Sequence, residues 1–155
     1  MNRLKPIKKG VRNILLATFV AGTLDIFCAI VVYAFILGKT TPLKILQSIA
    51  AGMVGKEAYE GGLAMAGYGL LLHFFITLLF AIFYFFLVRF ITFLKRHRTF
   101  CGIIYGIFIW LVMNLIVLPT VFPGIKPGDT DAILTGMAIV IVAVGIPMAY
   151  IVPRS

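Results

Sequence analysis

Residues 13–37 read NILLATFVAGTLDIFCAIVVYAFIL, an almost unbroken apolar run with one acid, Asp25, near its middle. At about 1.5 Å per residue, a helix of this length crosses a hydrocarbon layer roughly 30 Å thick. A charged carboxyl at that depth costs on the order of 2.5–3.5 kcal/mol on insertion scales, so its place is inside a helix bundle beside a partner.

Five basic residues, Arg3, Lys5, Lys8, Lys9 and Arg12, precede the run. They resemble the start of a secretory signal, but the apolar stretch is too long for one and no small-residue cleavage site follows. Phe27 before Cys28 is a poor lipoprotein cleavage site, so the segment is expected to stay as an uncleaved span. Three more apolar runs lie at about 65–94, 100–118 and 132–152. The whole chain is 62% hydrophobic, with a mean hydropathy of +1.11, well above the roughly 45–50% apolar content of soluble domains. This predicts an all-α integral membrane bundle of four spans, forming a single membrane domain over residues 1–155.

The net charge is +9, yet the basic residues sit at the ends of apolar spans and not on a face interleaved with exposed aromatics. The partner they imply is a lipid bilayer, and nucleic acid is not expected. Ten basic residues fall on one side of the four spans: the five N-terminal ones with Arg89, Lys95, Arg96, Arg98 and Arg154. Lys39, Lys44, Lys56 and Lys126 fall on the other, together with Glu57, Glu60, Asp129 and Asp131. The positive-inside rule then puts both termini in the cytoplasm.

Between the first two spans lies TTPLKILQSIAAGMVGKEAYEGG (40–62). Leu46, Ile49, Ala50, Met53 and Val54 share one helical face, with Lys44, Gln47, Ser48 and Gly55 opposite. Thr41 followed by Pro42 is a good helix start. The segment is too short and polar to span, which predicts an amphipathic helix over about 42–55 in the interface plane; a re-entrant turn through its glycines is the alternative. The link PTVFPGIKPGDTD (119–131) alternates Pro and Gly and reads as a tight turn. Its Asp129-Thr130-Asp131 looks like the DxD of sugar-nucleotide enzymes, but capping of the fourth helix is the favoured reading. GMVGKE (52–57) is not a phosphate loop, because Ala50 stands where its first glycine belongs and Glu57 replaces the hydroxyl. Cys28 and Cys101 should lie at different depths, which argues against a disulfide. Their spacing to the two histidines matches no metal set, and no cofactor is expected.

Small residues let helix backbones approach closely. Asp25 shares its face with Thr18, Ala21, Gly22, Cys28 and Ala29, so it should look inward. Ala66, Gly69, His73, Thr77, Ala81 and Tyr84 form a comparable stripe in the second span, with Phe75, Phe83, Phe86, Phe90 and Phe93 largely off it. Gly102, Gly106, Trp110 and Asn114 make one ridge in the third, its glycines forming a GxxxG contact. The fourth offers Ala138, Gly145 and Ala149, with a kink expected at Pro147.

Asp25 is 13 residues beyond Arg12, His73 is 16 from Arg89, and Asn114 is 16 from Arg98. All three should lie roughly 20–24 Å above the basic collar; if Lys95 marked the boundary, His73 would move away. An Asp25–His73 pair with Asn114 nearby is thus one expectation, and a set of polar contacts that merely fixes helix register is the other. Thr77, Tyr84 and Tyr68 are further candidates along the path, with Lys56, Glu57 and Glu60 as an outer rim or a solvated turn. Tyr59, Tyr68 and Trp110 also read as interface or core residues.

The elements AGTLD (21–25), LQSIAAGMVGKEAYEGG (46–62), GLLLHF (69–74), YGIFIWLVMNLIVLP (105–119) and VGIPMAY (144–150) resemble a family of small bacterial four-span inner-membrane proteins. The resemblance implies a bacterial inner-membrane location and brings no assigned activity. Members of that family carry a further histidine in the last span, and residues 135–144 here have none, which argues against a mechanism needing two. The leading functional expectation is a small oligomeric transporter or channel for a proton, ion or small solute. Asp25 is its titrating or cation-binding group, His73 the proton partner and Asn114 a neutral ligand. Self-association through the GxxxG and small-residue faces would complete a path. The alternative is a non-catalytic accessory subunit of a larger membrane complex. A membrane-embedded enzyme comes third, since no nucleophile–base pair is visible.

Overall fold

The basic N-terminal stretch and the apolar run after it form one continuous rod. Helix α1 (Leu4–Ala29) passes without a break into a π-helical stretch, Ile30–Ile36. The computed structural model describes residues 4–124 and 128–154. After a short loop comes α2 (Pro42–Val54), then a 3₁₀ turn, Lys56–Tyr59, and α3 (Gly62–Phe90). Short α4 (Phe93–Arg96) leads into α5 (Arg98–Leu111), a π-helical stretch Val112–Val117 and α6 (Leu118–Val121), which together make the third rod. The fourth is α7 (Thr130–Val140), a π-helical stretch Ile141–Gly145 and α8 (Ile146–Ile151), closed by a 3₁₀ turn. No strand occurs among the described residues.

The result is the all-α bundle that the hydropathy pattern predicts. Among the described residues four helices are long and apolar enough to cross a membrane: Lys8–Ile36, Gly62–Phe90, Arg98–Val121 and Thr130–Ile151. Their outward faces carry Phe19, Phe35, Leu71, Phe90, Leu115 and Val142, all more than half exposed. A surface of that kind suits acyl chains and not water. The second span ends at Phe90, four residues short of the predicted limit, because Ile91 adopts an extended conformation (φ −117°, ψ 97°). Arg89 therefore lies in its last turn, and the height reckoned from Arg89 is the one that applies. Arg3 and Lys126 of the charge pattern, and the centre of the 119–131 link, lie outside the described residues.

Small residues set the packing. Ala17, Ala21, Ala81, Ala143 and Ala149 are buried at the centre, closed by Tyr84, Met148 and Val152. In the second span the predicted stripe is the buried one: Ala66, Gly69, Thr77, Ala81 and Tyr84. Gly102 and Gly106 meet the last span within the same chain, where a Cβ on Gly106 would stand 2.6 Å from the Cα of Ile141 and one on Gly102 would stand 3.0 Å from the carbonyl oxygen of Gly145. The GxxxG ridge is thus consumed inside the bundle and is not a free surface for self-association. Ala138, expected to face inward, is exposed. The π-helical stretch at Ile141–Gly145 adds a residue to the turn before Pro147 and shifts the faces on either side of it.

Prolines explain two of the three π-helical stretches. A helical proline lacks the N–H that would bond four residues back, and its ring crowds that carbonyl. Pro119 follows Val112–Val117 by two residues and Pro147 follows Ile141–Gly145 by two. The wider turn relieves each, so the helix continues at Pro147.

Helix α2 starts as predicted, the Thr41 hydroxyl accepting from the Lys44 N–H at 3.3 Å. It ends at Gly55, whose φ of 80° only glycine adopts readily. Its buried side is rotated from the one predicted. Gln47, Ala50 and Ala51 face the protein, while Met53 and Val54 are exposed. The reason is Gly69 of α3, against whose missing side chain the Leu46 carbonyl rests. This close approach turns Gln47 inward, and its amide donates to the Gly62 carbonyl at 3.1 Å. Helix α2 accordingly packs along α3 as well as against Ala58 and Phe122.

Candidate functional site

The inward face of α1 brings Asp25 against the middle of α3. The Asp25 carboxylate Oδ2 lies 4.0 Å from His73 Nε2. That nitrogen is also 2.9 Å from the Gly22 carbonyl, one helical turn before Asp25. A carbonyl only accepts, so Nε2 carries the hydrogen and donates it to Gly22. His73 therefore ties α1 to α3 through backbone and faces the carboxylate from the same side. The ring is seated by Phe74, edge-on at 5.6 Å, and a Cβ on Gly22 would stand 2.7 Å from the Phe74 ring. Glycine at 22 is what lets the two helices come this near. Thr77 supports the same turn of α3, its hydroxyl donating to the His73 carbonyl at 2.8 Å.

On its other side Asp25 opens into a cavity of about 350 Å³. Asp25, Ala29 and Tyr33 contribute from the first span at four-residue steps, and Trp110 and Asn114 from the third at the same step. Gly136 and its neighbours on α7 close the remaining wall, and Gly128 and Ala132 lie toward the bundle end opposite the chain termini. Asn114 donates to the Trp110 carbonyl at 2.9 Å, which leaves its side-chain oxygen and second N–H uncommitted by that bond. Two of the π-helical stretches contribute to this lining, Tyr33 from the first and Asn114 from the second. Single π turns inside α-helices concentrate at functional sites, because the extra residue re-aims a side chain.

Asp25 thus stands between His73 and the cavity that Asn114 lines, and His73 is not itself a lining residue. Tyr84 sits elsewhere, fully buried against Tyr105 at a ring distance of 4.6 Å. Tyr68 is partly exposed on α3 and does not line the cavity. Lys56, Glu57 and Glu60 are exposed on the turn after α2, also away from the lining. Asp129 caps α7, its carboxylate accepting from the Ala132 N–H at 3.0 Å, which is the capping reading of the DxD. Both thiols are free.

Sequence reasoning assigned no site role to Tyr33 and Gly136, and read Trp110 as interface or core. The signal for Tyr33 was available in its place two helical turns after Asp25. Gly136 had none, because its part depends on a contact between spans that no periodicity encodes.

The fold and site define a class: a bundle with four helices long and apolar enough to cross a membrane, compatible with a multi-pass membrane protein, and with a carboxylate facing a cavity inside it. No family model, curated protein or solved structure matches the chain.

Proposed function

We propose that this protein is a small transporter or channel of a bacterial inner membrane, moving a proton, ion or small solute. Asp25 is the titrating or cation-binding group, His73 its proton partner and Asn114 a neutral ligand. The observation that supports this is the position of Asp25, 4.0 Å from His73 on one side and open to a 350 Å³ cavity on the other. An intramembrane carboxylate kept only for helix register has no need of such a space. With both termini cytoplasmic, as the basic collar argues, the cavity faces the outer side and α2 lies at the outer interface.

The test is reconstitution into liposomes with an internal pH-sensitive dye. Asp25-dependent acidification under an imposed gradient, lost in Asp25→Asn and altered in His73→Ala, supports the reading. Equal flux in the parent and Asp25→Asn refutes it. A second reading, an accessory subunit of a larger complex, is favoured by the exposed apolar residues Leu43, Met53 and Val54 of α2. Co-elution with other subunits at fixed stoichiometry would select it.

A further inference from the structure

We infer that the cavity beside Asp25 is a binding site for a small organic ammonium ion, held by the Asp25 carboxylate and the aromatic rings of Tyr33 and Trp110. This deepens the transport reading and rests on it for the identity of the cargo, but the site is defined by its own chemistry.

The charge of the lining selects a cation. Asp25 is the one carboxylic side chain among the residues around the cavity, and none of them is basic. Its side chain is 23% exposed, and among the described residues no protein group hydrogen-bonds to its carboxylate. The carboxylate is therefore free to accept from a guest. An anion would meet that carboxylate with no base among the lining residues, and a neutral guest would leave its cavity side without a charged partner, His73 standing 4.0 Å away on the other side. At the Gly128–Ala132 end, the capping carboxylate of Asp129 offsets the positive end of the α7 dipole.

The size and the walls select an organic one. A space of 350 Å³ is near the lower end of small-ligand pockets, about 300–1,000 Å³, and is many times the roughly 30 Å³ share of one water. A bare calcium-like ion takes about 6–8 oxygens, and the lining side chains offer only those of Asp25, Asn114 and Tyr33. Tyr33 and Trp110 instead bring two electron-rich rings, which attract ammonium groups. Gly136 sets the available room. A Cβ there would lie 3.3 Å from both the Tyr33 hydroxyl and the Trp110 indole nitrogen. Glycine at 136 lets both rings sit close to α7 with the cavity still open between the spans.

Trp110 is the single tryptophan of the chain, so its fluorescence reads this site directly. The experiment titrates the purified full-length protein in nanodiscs with tetramethylammonium chloride, at ionic strength held constant by sodium chloride. The expected result is a saturable change in Trp110 emission that sodium, potassium and acetate do not produce. Asp25→Asn should weaken it about tenfold or more, as for the loss of a charged contact. Gly136→Ala should weaken it severalfold while Leu71→Ala, on the outward face, leaves it unchanged. If Asp25→Asn does not fold, Gly136→Ala still decides. No saturable response, an equal response to sodium, or unchanged affinity in both site variants overturns the inference. Saturable ammonium binding without liposome flux overturns the transport reading and leaves the site standing. Asp25-dependent proton flux without ammonium binding does the reverse.

Discussion

Replacing Gly145 by alanine puts a methyl group into the closest contact between the third and fourth spans. The added carbon would lie 2.8 Å from the Gly106 nitrogen and 2.9 Å from the Gly106 Cα, and closer still to the Gly102 carbonyl oxygen. Carbon contacts are optimal near 3.5–4.0 Å, so the helices must part by roughly 0.5–1 Å. All three obstructing atoms are backbone, and no rotamer change can relieve them. Overpacking of this kind costs about 1–3 kcal/mol, and the absence of a flexible neighbour puts Gly145→Ala at the upper end. Gly67→Ala is the matched control: Gly67 lies inside α3, and a Cβ there meets nothing within 4 Å. It should stabilise by about 0.5–1 kcal/mol through reduced backbone freedom. The same chemical change therefore has opposite signs at two glycines of one bundle. Reversible unfolding in mixed micelles with rising SDS, followed by Trp110 emission, measures both. A Gly145→Ala protein that unfolds at the parent's SDS fraction, or shifts in the same direction as Gly67→Ala, would refute the packing argument.

Two tyrosines in ring contact should also diverge. The Tyr105 hydroxyl donates to the Phe80 carbonyl at 2.7 Å, so Tyr105→Phe should destabilise by about 1 kcal/mol in the same unfolding assay. The Tyr84 hydroxyl is buried with no hydrogen-bond partner among the described residues, so Tyr84→Phe should be neutral or stabilising by up to about 1–2 kcal/mol. Gln47→Ala removes a buried amide donor from the Gly62 carbonyl. It should cost about 1–2 kcal/mol and raise amide hydrogen exchange across residues 42–54, which mass spectrometry resolves. Asp129→Ala deletes the α7 cap and should cost about 1 kcal/mol, with faster exchange confined to the first turn of that helix.

Much of the bundle was legible because the physics is local. Twenty or so apolar residues between basic collars read as a span without reference to anything else. The stripe from Ala66 to Tyr84 is visible at helical spacing because small residues in a membrane helix pack inward. The common height of Asp25 and His73 followed from residue counting alone, and the 4.0 Å separation agrees with it. What periodicity could not supply were departures from 3.6 residues per turn. The stretch Ile141–Gly145 turns the faces on its two sides relative to one another, which is why Ala138, grouped with Gly145 and Ala149 by periodicity, was assigned to the wrong side. The burial of Gln47 was hidden for a different reason. A glutamine reads as solvent-facing until a particular carbonyl, here that of Gly62, is known to be within reach.

The π-helical stretches carry one more implication. Each holds a surplus residue relative to an ordinary helix, and one residue corresponds to about 100° of rotation. Deleting a single position from 30–36 would let the first span rewind and swing the segment bearing Tyr33 off the cavity wall; a deletion within 112–117 would likewise displace Asn114. The pocket is therefore as much a matter of chain arithmetic as of side-chain identity. A bundle with every polar residue retained but one fewer link in either stretch would keep its shape and lose its interior room.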